Sequence, residues 1–236
     1  MSDNKALKLS PEALRSLEVC CALCAQLLRE PLTEETLDSL RMAKELLLEE
    51  PFLSLAPQPA SLLHQILLDK TDTNLLAILR EDYTYLFSMT GLSQISPYES
   101  VYRTEDRTLF GPTTLWLREL MLDFGVSLQT NASEPEDHIA IEFAFLAELL
   151  SRLADDCESG DCEKGLSDEE DSVIVLGGIR ALLAEHLLGF GPIVLEKIAQ
   201  GAKTVFYREV AHLSLAILEA SRTFFAVRAE HQILWD

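Results

Sequence analysis

Apolar residues recur at three- and four-residue intervals along almost the whole chain, and nowhere do they alternate one-in-two for the length of a strand. That regularity leaves helix-on-helix packing as the one way to bury a core. The clearest stripe is Phe206, Val210, Leu213, Ile217, Ala220, Phe224 and Val227, whose steps alternate four and three and predict a helix over 203–230. At the other end, Ser10, Pro11 and Glu12 read as N-cap, N1 and N2 of a helix carrying Leu14, Leu17, Cys21, Cys24 and Leu28 inward. Thr33 caps a second, with Leu37, Leu40, Ala43 and Leu47 on its stripe. A short helix over 61–68 follows a proline-broken stretch, and another starts near Thr73 with Leu76, Leu79, Tyr83 and Leu86 inward. Gly111-Pro112 opens a helix with Leu117, Leu120 and Phe124, closed by Gly125. The next starts near Pro135 with Ile139, Phe143, Leu146, Leu150 and Leu153. A helix over 172–188 is followed by a break at Gly189, Gly191 and Pro192, then a further helix to Gln200. The expectation is an all-α fold, one globular bundle of about nine or ten helices over 1–236, with an acidic mobile loop at 155–171.

Charge narrows the partners. Lys and Arg number 19 against 39 Asp and Glu, a formal charge of −20. The cationic footprint of a nucleic-acid binder is missing, and so is attraction to anionic lipid. The start is polar, and the longest uncharged run, 51–68, carries Pro51, Pro57 and Pro59, so neither an apolar signal core nor a stable membrane insertion is expected there. Five cysteines, three crowded at Cys20, Cys21 and Cys24, make a poor disulfide framework and suit a cytoplasmic chain.

Templates for catalysis are mostly absent: no Walker loop, no dinucleotide fingerprint, no nucleophile elbow and no H-E-x-x-H. Cys21-x-x-Cys24 has the spacing of a metal knuckle, but its partners Cys157 and Cys162 are spaced more widely, and the pair reads better as small core residues. Asp137-His138 with Glu142 a turn later is the most catalytic-looking cluster and defines the alternative function, a metal-dependent or acid–base hydrolase. Against it, Ser133 to Glu136 forms an S-x-x-E capping box, and the acids fit the dipole of the helix it would open. The irregular stretch 88–107 holds Ser96-Pro97-Tyr98-Glu99-Ser100-Val101-Tyr102, a mixture of aromatics, acid and hydroxyls suited to gripping a peptide.

Four blocks together resemble the TorD/DmsD family of redox-enzyme maturation chaperones, nearest its DmsD-like branch. They are Tyr83-x-x-Leu86-Phe87; Ser96 to Tyr102; Leu109-Phe110-Gly111 with Leu117-Arg118; and Glu134-Pro135-Glu136-Asp137-His138-Ile139. A looser likeness runs through Glu185-His186-Leu187-Leu188 and Phe206-Tyr207-Arg208. The sequence has Pro97-Tyr98 where the family has proline-tryptophan, and Tyr83 where tryptophan is frequent. The resemblance implies an all-helical cytoplasmic chaperone with no reaction and no cofactor of its own. It would bind the twin-arginine signal peptide of a molybdopterin oxidoreductase catalytic subunit, assisting cofactor insertion and proofreading before Tat export. It implies a monomer or a domain-swapped dimer, with 155–171 as a possible hinge. The peptide-binding positions it implies are Tyr83, Leu86, Phe87, Pro97, Tyr98, Glu99, Ser100, Tyr102, Gly111, Asp137 and His138. Glu99, Asp137 and Glu134 would read the arginine pair, since carboxylates and guanidinium groups form bidentate, charge-assisted bonds.

Overall fold

A computed structural model describes residues 10–69, 71–87, 95–128, 134–159 and 170–230. Among them the regular structure is helical, with one isolated antiparallel bridge between Tyr98 and His138. Helix α1 spans Pro11–Arg29 and is capped by the Ser10 hydroxyl, which accepts from the Ala13 N–H at 3.2 Å. Its stripe is buried as expected and lies along α8, Ile139–Ser159, which forms the most extensive helix pair of the fold. Helix α8 is more than a one-sided amphipath: Ile139 to Phe143 are all buried, so it runs through the middle of the molecule.

The second helix, α2, covers Glu34–Ala43 and tightens into a 3₁₀ segment, Lys44–Leu48. The narrower turn rotates Ala43 out to solvent while Leu47 stays buried, so the 3.6-residue stripe drawn through both fails at Ala43. Helix α3, Phe52–Leu55, leads to α4, Pro57–Leu68, which starts four residues earlier than its apolar pattern indicates because Pro57 serves as its first residue. Next come α5, Leu75–Phe87, the single turn α6, Ser100–Arg103, and α7, Pro112–Asp123. Gly125, at φ 65°, terminates α7 in the left-handed conformation expected of it.

Two expectations about breaks are corrected. Gly189, Gly191 and Pro192 do not interrupt the chain. Helix α9, Glu170–Ala181, passes through a π-helical turn, Leu182–Leu187, into α10, Leu188–Gly201, with Pro192 inside. A π turn releases backbone carbonyls from the i→i−4 ladder. Two of them find partners elsewhere: the Glu230 N–H donates to Ala184 O at 2.9 Å, and Arg103 Nη2 donates to Glu185 O at 2.7 Å. The last helix, α11, ends at Phe224 rather than near Glu230, because Ala226 at φ 52° turns the chain back toward that π turn. Of the stretch expected as an acidic loop, 155–159 belong to α8 and 170–171 to α9, and 160–169 lie outside the described residues. The stretch Asp171–Gly201 is long and apolar enough to cross a membrane, yet 61% of its most apolar window is buried within the fold, where α10 lies along α11.

Cys20, Cys21 and Cys24 are free thiols and buried, Cys157 is buried, and Cys162 lies outside the described residues. Burial pushes the Cys24 thiol up to about 12, against a contact from the Ser214 hydroxyl at 3.2 Å. Such thiols pack as small apolar residues. Among the described residues, no group of three or more His, Cys, Asp or Glu side chains is arranged to hold a metal ion.

Candidate functional site

The two blocks singled out for their chemistry meet through the isolated bridge. The Glu99 N–H donates to Asp137 O at 2.9 Å and the Ile139 N–H to Pro97 O at 2.8 Å. Residues 134–138 therefore lie outside any helix, and α8 begins at Ile139, four residues later than the predicted start near Pro135. A bridge to another segment needs extended backbone, and this outweighs the local helix signals. Ser133, first residue of the expected capping box, lies outside the described residues.

Asp137 is fully buried, and its Oδ2 accepts from the Ser100 N–H at 2.7 Å, fastening α6 to the bridge. Burial raises its pKa, opposed by the Ser100 contacts and the Thr114 hydroxyl. The expected place of Asp137 in the first turn of a helix is not observed, because α8 begins at Ile139, and burial, the largest influence on this carboxyl, disfavours its charged form. Glu99 is also fully buried. It forms an ion pair with Arg103 Nε at 2.5 Å and meets His186 Nδ1 at 2.7 Å. Arg103 thus joins Glu99 to the freed carbonyl of the π turn. Gly189 makes room for it: a Cβ there would come within 2.3 Å of Arg103 Nη2. Gly111 allows a similar close approach, since its Cβ would lie 2.9 Å from Thr104 Cγ2 and 3.2 Å from Ser100 Cβ.

Below this layer lies Glu142, fully buried, with neither carboxyl oxygen hydrogen-bonded. Burial and the neighbouring Glu99 and Asp137 raise its pKa well above the carboxylate range, against the pull of Arg103. His138 is buried, and its Nδ1 accepts from the Ala140 N–H at 3.0 Å, so the ring proton sits on Nε2. Desolvation lowers its pKa to about 4, with Arg29 acting in the same direction. Asp137, His138 and Glu142 are close in sequence, but no hydrogen bond links their side chains and water has almost no access to them. They do not assemble the relay that acid–base hydrolysis requires.

Of the eleven implied peptide-binding residues, Phe87 and Tyr98 are half-buried and the other nine are buried. Tyr98 packs edge-on against His138, ring centroids 5.1 Å apart, and Tyr83 packs on Phe87 at 4.6 Å. Tyr102 is held inside by its hydroxyl, which donates to Ser96 O at 2.9 Å. The Tyr98 hydroxyl faces Glu134, whose carboxylate is gripped at both oxygens by Arg29 at the end of α1, one contact being Nη2–Oε2 at 2.5 Å. Arg29 holds the Glu134 carboxyl below its usual range. The surface of this region is thus Phe87, Tyr98, Glu134 and Arg29, over a buried frame of Glu99, Ser100, Gly111, Asp137 and His138.

Sequence reasoning missed Arg29, Arg103 and His186. Arg103 carried a signal, since it stands four residues after Glu99 and directly before Thr104 on the same turn. Arg29 carried none, because its partner is 105 positions away. Asp82 was also missed. It braces the N-cap residue of α11 from α5, accepting from the Lys203 N–H at 3.0 Å and from the N–H of the cap, Thr204, at 2.8 Å.

Among the described residues, one isolated bridge clamps two loop segments under a partly open aromatic and ionic surface. Residues 54–196, more than half of the chain, match the family described as nitrate reductase delta subunit. The chain belongs to this family, the TorD/DmsD group that the sequence blocks resemble. Among curated relatives, "Chaperone protein TorD" of Vibrio cholerae serotype O1 is 30% identical over 144 residues, 61% of this chain and 60% of that protein. "Chaperone protein TorD" of Vibrio parahaemolyticus is 28% identical over 173 residues, 72% of this chain and 75% of that protein. "Tat proofreading chaperone DmsD" of Salmonella typhi is 31% identical over 127 residues, 52% of each chain. The match thus spans about 60% of the length of the Vibrio cholerae relative.

Proposed function

We propose that this protein is a cytoplasmic chaperone, not an enzyme, that binds the twin-arginine signal peptide of a molybdopterin oxidoreductase catalytic subunit and holds the subunit through cofactor insertion and proofreading before Tat export. One observation carries the reading: half-buried Tyr98 and Phe87 lie beside a partly exposed carboxylate, Glu134, which already holds a guanidinium group bidentately. A twin-arginine peptide offers two guanidinium groups and an apolar segment, and this surface complements both. The names of the relatives, TorD chaperones and Tat proofreading chaperones, support it.

The implied site divides by exposure. Phe87, Tyr98 and Glu134 contact the peptide. Tyr83, Leu86, Pro97 and Tyr102 back the aromatic wall. Glu99, Ser100, Gly111, Asp137 and His138 act as positioning residues that hold the bridge and α6 in register. Arginine reading therefore moves from Glu99 and Asp137, buried and internally partnered, to Glu134. Isolating the tagged protein from its native cytoplasm and sequencing the co-purified precursors tests the proposal. Enrichment of a molybdopterin oxidoreductase subunit with its twin-arginine segment intact is expected. Recovery of mature subunits lacking that segment would refute it.

A further inference from the structure

Arg29 is the last residue of α1, and the Leu28 carbonyl before it accepts from the Tyr83 hydroxyl at 3.3 Å, so the backbone there is fixed while the side chain reaches outward. Arg29 and Glu134 are each about one-third exposed, 32% and 29% of their side-chain surfaces. The other acids of the cluster, Glu99, Asp137 and Glu142, are at 0%. Of these four acids Glu134 is the one an outside cation can reach; Glu136, 13% exposed, is held by Arg118, and Glu148, on the cleft wall, pairs with Arg152. Arg29 also stands on the wall of a cleft of about 630 Å³ between α1, the end of α7 and α8, whose floor is Met121, Val126, Ile141 and Phe145. The floor of the cleft is apolar, its lining also includes Gln26, Ser127 and Glu148, and it adjoins the Arg29–Glu134 pair, which a guanidinium from outside would match in geometry and charge.

We infer that Arg29 is an internal substitute for the ligand's guanidinium: an arginine of the incoming peptide displaces it from Glu134, and the peptide's apolar segment enters the cleft whose wall Arg29 forms. This rests on the reading of the protein as a signal-peptide chaperone and adds to it the group that must leave. The exchange swaps one bidentate guanidinium–carboxylate pair for another, so charge balance at Glu134 is conserved. It makes lysine a poor competitor, because an ammonium group cannot replace both contacts at once. The released Arg29 side chain stays at the C-terminal end of α1, where a cation is favoured by the helix dipole. Specificity for arginine then arises from competition: a peptide binds only if its cation outperforms the one already in place.

The test uses the full chain and fluorescent synthetic peptides bearing either an arginine pair or a lysine pair before the same apolar segment. Binding is followed by anisotropy, with melting temperatures recorded for every variant. Arg29→Ala is expected to tighten binding of the arginine peptide by roughly twofold to fivefold, since a partly exposed ion pair no longer has to be broken. Glu134→Gln should erase the preference for arginine over lysine. Ala144→Trp, placed at an exposed position on the cleft wall, should weaken both peptides equally. Should Arg29→Ala fail to fold, Arg29→Lys carries the test, with a smaller tightening expected. A folded Arg29 variant that binds the arginine peptide no better than the natural protein, or more weakly, overturns the inference while leaving the chaperone reading intact. Failure of every form to bind either peptide overturns both.

Discussion

Replacing Glu142 by glutamine should stabilise the protein at neutral pH and do so less in acid. In the unfolded chain this carboxyl titrates near its ordinary value of 4.5, whereas in the fold burial beside Glu99 and Asp137 raises its pKa well above that. Between the two values the folded state holds a proton that the unfolded state has released. Stability therefore declines as pH rises through this window, by about 1.4 kcal/mol per pH unit for one group. The contribution is intact below the ordinary value and lost progressively toward the raised one. Glutamine has the same shape, carries no titrating proton and leaves Arg103 with Glu99. The difference in unfolding free energy between Glu142→Gln and the natural protein should accordingly grow in the variant's favour from pH 5 to 7. Urea denaturation at half-unit pH steps measures it, and shifts common to both proteins cancel. A difference independent of pH, or one that moves against glutamine as pH rises, would show that Glu142 is ionised in the fold and that the burial argument is wrong.

Arg103→Ala should cost about 3–5 kcal/mol, because it strands the Glu99 carboxylate in the interior and frees the Glu185 carbonyl; chemical denaturation reads the loss. His138 should keep a neutral Nε2–H imidazole from pH 7 to 5, visible in its ring nitrogen shifts. Because its folded pKa is lowered to about 4, its contribution to stability is full above its ordinary 6.5 and falls away as pH drops toward 4, by about 3 kcal/mol in all, which a stability titration would detect. Tyr98→Ala should raise the Kd for a twin-arginine peptide roughly thirtyfold in calorimetric titration, with little change in melting temperature because the side chain is only half-buried. Asp82→Ala should destabilise the protein by about 1–3 kcal/mol in denaturant titration, by leaving the Lys203 and Thr204 N–H groups at the start of α11 without their acceptor.

The stripes of α1 and α11 were legible because each helix shows the core one face, and a single-period pattern describes such a helix fully. Helix α8 was legible in its stripe but not in its depth, since small residues such as Ala140 and the buried acid Glu142 disguise its remaining faces. Breaks were the least legible. Gly189 and Pro192 signal an interruption to any local reading, and only a π turn with distant partners for its carbonyls lets the helix continue. At the site, the blocks 96–102 and 134–139 were found as separate strings. That they meet at a bridge follows from contacts almost forty positions apart, which override an S-x-x-E pattern that locally favours helix. The acids show the same limit. A sequence displays Glu99, Asp137 and Glu134 as equivalent charges, whereas burial makes two of them internal struts and leaves one facing outward.

The π turn ties distant parts of the chain to one spot. Ala184 O anchors the segment after α11 through Glu230, and the next carbonyl anchors Arg103, which holds Glu99, whose own N–H completes the bridge to Asp137. The amide of Glu230 is consequently a natural sentinel for the interior of the site. Its exchange with deuterated solvent should quicken whenever that turn rewinds to an ordinary α-helix, even though no atom of Glu230 lies near Tyr98 in the chain. A label-free signal of events around the bridge is thereby available from a residue that can be followed without altering the binding surface.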